Sequence, residues 1–264
     1  MKIALAQILS SPDPADNLDL IRDHVSTAAA QGAELVVFPE ATMCAFGNDL
    51  TAVAEHLDGP WANTVRRIAE EHQVTVVVGM FTPGEQNRVR NTLLITGGGI
   101  EAHYDKIHLY DAFGYRESES VTAGSLPVQF TLNGITFGVA TCYDVRFPEL
   151  FFRHAQAEAL VNIVCASWAS GPGKAEQWQL ATRARAMDST TFVAAVDQAD
   201  PYSVEQDVPP GVPLGVGHSA LISPLGEVIE DLGVKPGMRI VTIDPEQVDA
   251  ARTGLPVLAN ARLR

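Results

Sequence analysis

Short runs rich in Val, Ile and Ala recur along this chain, each separated from the next by an amphipathic stretch or a tight Gly/Asn turn. That punctuation restricts the fold to sheets covered by helices. Strands are expected over 3–8, 35–38, 74–81, 91–96, 100–106, 128–132, 135–141, 159–166, 191–196, 218–223 and 228–231, and helices over 17–31, 60–73, 148–157 and 176–189. Asp16 reads as the N-cap of the first helix, and Pro60, after Asp58-Gly59, as a first-turn residue of the second. Gly97-Gly98-Gly99, Asn133-Gly134 and Pro224-Leu225-Gly226 mark hairpins, and a strand over 239–243 is expected to pair beside the last of them. Helix-linked and hairpin-linked strands together imply mixed sheets, and near-continuous apolar strands imply a sheet face covered by helices. A Pro/Gly-rich segment over 199–217 reads as a long surface loop positioned to cap a pocket.

Composition narrows the class. The 264 residues are 46% hydrophobic and 19% charged, which suits one large α/β domain over residues 1–264. A net charge of −14 repels a phosphate backbone or an anionic bilayer, so neither nucleic acid nor membrane is an expected partner. The opening apolar run over 1–8 is too short for a signal peptide and no later run approaches about 18 apolar residues, so a cytoplasmic location is expected. The three cysteines, Cys44, Cys142 and Cys165, form an odd set without CxxC spacing, against a disulfide framework or a thiolate zinc site. No HxxxH or carboxylate–His cluster suggests a metal, and no cofactor is expected.

Three polar residues share one local setting, immediately after an apolar strand: Glu40, Lys106 and Cys142. Ligand crevices in α/β sheets form at such strand ends, so a base, a cation and a thiol are candidates to converge. Residue type sets a division of labour. A shielded carboxylate at Glu40 takes the thiol proton and later activates water. Cys142 attacks a carbonyl-like carbon, and the Lys106 ammonium, with the backbone N–H of Tyr143, stabilises the oxyanion. Asp144 and Arg146, on the turn after Cys142, read first as an internal ion pair, with Arg146 alternatively meeting a substrate carboxylate. Tyr143 and Trp168 are expected to shape the acyl pocket. Lys174, Arg183 and Arg185 read as solvated helix-surface cations, with the alternative that one of them counters an anionic substrate.

The segments LVVFPE (35–40), YDKIHLY (104–110) and TCYDVRFPEL (141–150), in that order, resemble the nitrilase superfamily of carbon–nitrogen hydrolases. The resemblance implies a Glu-Lys-Cys triad at Glu40, Lys106 and Cys142, a thioester acyl-enzyme, a four-layer αββα sandwich with two mixed sheets, and a homodimer. It also implies a second glutamate after the lysine. Tyr115-Arg116-Glu117-Ser118 fits with Glu117 as carrier, and Glu119 is the competing residue. Within the superfamily, 108–113, 116–118 and 255–258 resemble bacterial amidases of deaminated glutathione, neighbours of the omega-amidases; Ser170 stands where glutathione-type relatives can carry a basic residue. Small-molecule amides bearing a carboxylate are the implied substrates.

Other readings compete. The same three residues serve a nitrilase or an N-carbamoyl amino acid amidohydrolase, and a non-catalytic binding protein could keep the fold. A Cys-His pairing through His108 or His218 lacks the segments of papain-like proteases; His108 reads instead as a structural hydrogen-bonding residue. Cys165, within an apolar strand, reads as an inert small hydrophobe, and Cys44 as packing.

Overall fold

The computed structural model describes residues 1–206, 208 and 211–262. Its strands are β1 (Lys2–Gln7), β2 (Leu35–Val37), β3 (Thr75–Pro83), β4 (Val89–Gly97), β5 (Ile100–Asp105), β6 (Asp111–Ala112), β7 (Tyr115–Arg116), β8 (Gln129–Leu132), β9 (Ile135–Thr141), β10 (Val161–Ala166), β11 (Phe192–Asp197), β12 (Ala220–Ile222), β13 (Val228–Asp231) and β14 (Gly237–Thr242). Its helices are α1 (Pro14–Ala30), α2 (Leu50–Val53), α3 (Pro60–His72), α4 (Pro148–Gln156), α5 (Lys174–Ser189), α6 (Glu246–Gly254) and α7 (Val257–Asn260).

Two six-stranded mixed sheets form, in the orders β14-β1-β2-β3-β4-β5 and β13-β12-β11-β10-β9-β8. Strand alternation divides their side chains between two kinds of core. Along β1, Ile3 and Leu5 face the second sheet, where they join Val37, Leu93, Phe137, Val139, Ile163 and Phe192. Ala4 and Ala6 face the other way, into a cluster with Ile21 and Val25 of α1 and Trp61, Val65 and Ile68 of α3. The outer face of the second sheet packs Val164, Ala166 and Val193 against Leu150 and Phe151 of α4 and Trp178 and Ala186 of α5. The result is the four-layer αββα sandwich. It explains why the central strands read as unbroken apolar runs: both of their faces are covered, whereas the edge strands β5, β13 and β14 keep exposed residues.

Two local expectations are corrected. The first helix starts at Pro14, and its N-cap is Asp13, whose side chain accepts a 2.8 Å hydrogen bond from the Ala15 N–H. Asp16 lies in the first turn and accepts from the Ser11 hydroxyl instead. Proline lacks an N–H and tolerates N1, so the Asp13-Pro14 pair was the better start signal. The strand over 239–243 does not join the last hairpin. As β14 it pairs antiparallel with β1, Lys2 opposite Thr242, and closes the edge of the first sheet. Local spacing cannot see that the chain has crossed between sheets.

The hairpins fall where the turn chemistry put them. Asn133 and Gly134 have φ of 48° and 80°, the left-handed pair a two-residue turn requires. Of the loop over 199–217, residues 207, 209 and 210 lie outside the described residues; within the rest, the Ser167 hydroxyl donates to the Pro213 carbonyl at 2.7 Å and Pro213 borders the cavity that holds Cys142. Among the described residues no helix is long and apolar enough to cross a membrane.

Candidate active site

Glu40 follows β2 through a sharp turn in which Ala41 has φ of 58° and the Thr42 hydroxyl donates to the Pro39 carbonyl. The turn lies against Gly79 of β3, where a Cβ would come within 2.7 Å of the Ala41 nitrogen. A side chain there would push the turn away, so glycine is required. The Glu40 carboxylate is buried, and both of its oxygens accept hydrogen bonds. Oε1 accepts from Asn91 Nδ2 at 2.6 Å and from Lys106 Nζ at 3.0 Å, and Oε2 accepts from the Ser167 backbone N–H at 2.8 Å.

Lys106 leaves the end of β5 and points inward, 3% exposed, where its ammonium also donates to Glu117 at 3.0 Å. Glu117 is equally buried, and its other oxygen accepts from the Tyr110 N–H at 2.6 Å, which locks the loop between β5 and β8 around the cation. Glu119 is exposed and pairs with Arg116 at the surface. The geometry thus places Glu117, not its neighbour, beside Lys106.

Burial opposes the charge of Lys106, but Glu117 and Glu40 outweigh it, so its pKa stands well above that of an ordinary lysine. Burial raises the pKa of Glu40, with Lys106 pulling it down and Glu117 adding to the rise. Cys142 is held well above the usual thiol value by burial first and by Glu40 second, against the pull of Lys106. The thiol therefore rests protonated beside an acceptor carboxylate and a permanent cation.

Cys142 follows β9 with φ of 48° and opens a 3₁₀ turn, Cys142–Arg146. A left-handed cysteine is costly and is held only by its surroundings. Asp144 provides them. Fully buried, it accepts from the Thr141 N–H at 2.9 Å, the Tyr104 hydroxyl at 2.6 Å and the His108 N–H at 2.9 Å, with His108 Nδ1 2.7 Å away. Tyr104 and His108 flank Lys106, so one carboxylate ties the cysteine turn to the lysine segment. The expected Asp144–Arg146 ion pair does not form. The Arg146 guanidinium donates to Gln177 at 2.7 Å and lies 5.2 Å from the Trp168 ring, and Arg146 is not among the residues lining the cavity. Asp144→Ala strands the buried Thr141 N–H and Tyr104 hydroxyl and the part-buried His108 N–H, and we expect it to lower the unfolding free energy by about 3–5 kcal/mol, read by denaturant titration. A loss below about 1 kcal/mol would deny Asp144 this tethering role.

One cavity gathers Glu40, Lys106, Glu117 and Cys142 with Tyr143, Trp168 and Lys174. Tyr143 occupies the second position of the 3₁₀ turn, where a backbone N–H lacks an intrahelical acceptor. The sequence reading missed Asp197. Buried at the end of β11, it accepts from the Trp168 N–H and the Val216 N–H, both at 2.8 Å, and so fixes the strand end that carries Ser167. Burial lifts its pKa to about 8, against the hydrogen bonds from Val216 and Trp168. The signal was present: Asp197, too, follows an apolar strand directly. Cys165 packs between the sheets and Cys44 in a cluster with Ala41 and Phe46, and neither cysteine lines the cavity. Among the described residues no three His, Cys, Asp or Glu side chains are grouped to hold a metal ion.

The carbon–nitrogen hydrolase family model matches residues 2–253. The chain is 52% identical over 266 residues to the hydrolase Rv0480c of Mycobacterium tuberculosis, covering 98% of this chain and 95% of that protein. It is 30% identical over 267 residues to the deaminated glutathione amidase of Escherichia coli O157:H7, covering 99% and 97% respectively. Among solved structures, XC1258 of Xanthomonas campestris, a CN-hydrolase superfamily protein, superposes with a TM-score of 0.87 at 26% identity, covering 100% of this chain and 98% of the other. With a matched family model, relatives of this identity and the same αββα layering, the chain belongs to the carbon–nitrogen hydrolase family of the nitrilase superfamily and is an enzyme of amidase type.

Proposed function

We propose that this enzyme hydrolyses linear amides of small, carboxylate-bearing acyl groups through a thioester on Cys142. The observation that carries the reading is the buried Lys106 ammonium, held between Glu40 and Glu117 in the cavity that contains the thiol. Substrate binding brings a carbonyl carbon to Sγ. Glu40 accepts the thiol proton as the C–S bond forms, and the carbonyl electrons move to an oxyanion that receives hydrogen bonds from Lys106 and the Tyr143 N–H. Collapse breaks the C–N bond, and the amine leaves with the proton from Glu40. A water then gives its proton to Glu40, attacks the thioester, and the thiolate regains a proton as the acid departs. Glu117 holds Lys106 charged and oriented throughout and positions the substrate nitrogen.

Deaminated glutathione or an ω-amide of an α-keto acid fits the substrate class, in line with the name of the Escherichia coli relative. The nitrilase and N-carbamoyl readings rest on the same three residues, and only the products tell them apart. Ammonia or amine release from a panel of amides, nitriles and N-carbamoyl amino acids tests the proposal. Turnover confined to nitriles or carbamoyl substrates would overturn it.

A pH dependence follows. Glu40 must be ionised to accept the proton, and burial raises its pKa above the ordinary 4.5. We expect kcat/KM to be complete above that raised pKa and to fall tenfold per pH unit below it. An acid limb at or below the ordinary glutamate value would count against Glu40 as the base.

A further inference from the structure

Among the described residues, two cationic side chains line the cavity of Cys142: Lys106, balanced by two carboxylates, and Lys174. Lys174 is the first residue of α5, and its carbonyl accepts a 3.0 Å hydrogen bond from the Trp168 indole. Its backbone is therefore fixed to the cavity wall. Its ammonium donates to the Tyr110 hydroxyl at 3.3 Å and lies 4.4 Å from the centre of the Phe113 ring. Among the described residues it forms no ion pair. A hydroxyl and an aromatic face orient an ammonium without cancelling its charge, unlike a carboxylate.

Phe113 is 86% exposed at the tip of the β6–β7 hairpin, an unusual place for a large apolar ring unless it has something to cover. What it covers is this ammonium, in a groove that continues outward from the cavity and shares Tyr110, Tyr115, Ala169, Lys174 and Pro213 with it. The charges lining the cavity floor, Glu40, Lys106 and Glu117, sum to −1, and the whole chain carries −14. An anionic substrate entering this acidic protein gains a counter-charge at Lys174.

The geometry points to Lys174 as the residue that binds a carboxylate at the far end of the acyl chain, so that the enzyme selects ω-amides of dicarboxylic acids over neutral amides of equal length. The inference rests on the amidase reading above and assigns its substrate anchor. Lys174 acts on binding, not on the reacting atoms, and its removal raises KM more than it lowers kcat.

Succinamate and butyramide form a matched pair, identical but for a carboxylate in place of a methyl. In Lys174→Met the ratio of kcat/KM for succinamate to that for butyramide falls about tenfold or more, through KM, because a charge-assisted hydrogen bond is lost. Lys174→Arg restores most of the ratio and Lys174→Glu lowers it further. Equal losses on both amides, or no loss on either, would overturn the assignment. The amidase reading fails separately if the wild-type protein cleaves no amide of the panel above; where it cleaves neither succinamate nor butyramide, the anchor is read from protection of Cys142 against iodoacetamide. Protection by succinamate at lower concentration in the wild type than in Lys174→Met supports it, and equal or absent protection overturns it.

Discussion

Cys142→Ala lowers kcat on the best amide substrate by about four orders of magnitude or more, with little change in the unfolding midpoint, because loss of a nucleophile removes the covalent route and leaves only binding and the oxyanion donors. Alanine keeps the Cβ of Cys142, so packing against the Ala140 and Val145 cluster persists. Serine is no rescue. The site does not supply a preformed anion: Cys142 is held protonated by burial and by Glu40, and its attack depends on a proton moving to that carboxylate as the bond forms. A hydroxyl is harder to deprotonate than a thiol and gains nothing from this arrangement. Ammonia release, circular dichroism and intact-mass detection of an acyl adduct provide the measurements. A variant that keeps more than about one part in a hundred of the rate, or a wild type that acquires its acyl mass elsewhere, would refute the thioester on Cys142.

Much of this was written into local sequence, and the rest was hidden for identifiable reasons. Apolar runs and turn residues report burial and backbone conformation, which is why the strands and the Asn133-Gly134 turn could be read directly. The convergence of Glu40, Lys106 and Cys142 follows from one rule, that polar residues after buried strands face a crevice, and Asp197 obeys the same rule. Asn91 gave no such signal. It sits inside an apolar strand, and its role as a donor to Glu40 depends on β4 lying two strands from β2, a pairing order that no local pattern encodes. Asp144 shows the opposite failure. Its neighbour Arg146 offered an obvious partner two residues away, but side chains on successive turn positions diverge, and the buried carboxylate found donors on β5 and its following loop instead. The edge position of β14 was invisible for the same reason as the Asn91 contact, since it is a fact of tertiary order.

The second large effect belongs to Lys106. Lys106→Met deletes the ammonium between Glu40 and Glu117 and leaves two buried carboxylates facing one cavity without a counter-charge. Breaking a buried pair by removing one partner costs about 3–5 kcal/mol, and here a like-charge repulsion is added. The sign with pH is fixed by the carboxylates. Glu40 already has a raised pKa, and loss of the Lys106 contribution that lowers it raises it further. A carboxyl whose pKa is higher folded than unfolded binds protons more tightly in the native state, so stability falls as pH rises from the unfolded value toward the folded one. The variant is therefore closest to wild type near pH 4.5 and progressively less stable toward pH 7, as denaturant titrations at the two pH values would show. Adding Glu117→Gln removes the repulsion and recovers much of the stability at neutral pH. Catalysis stays low, since the oxyanion has still lost its cation, a donor worth about 3–4 kcal/mol. If the double variant regains activity along with stability, Lys106 is a structural counter-ion and not the group that faces the oxyanion.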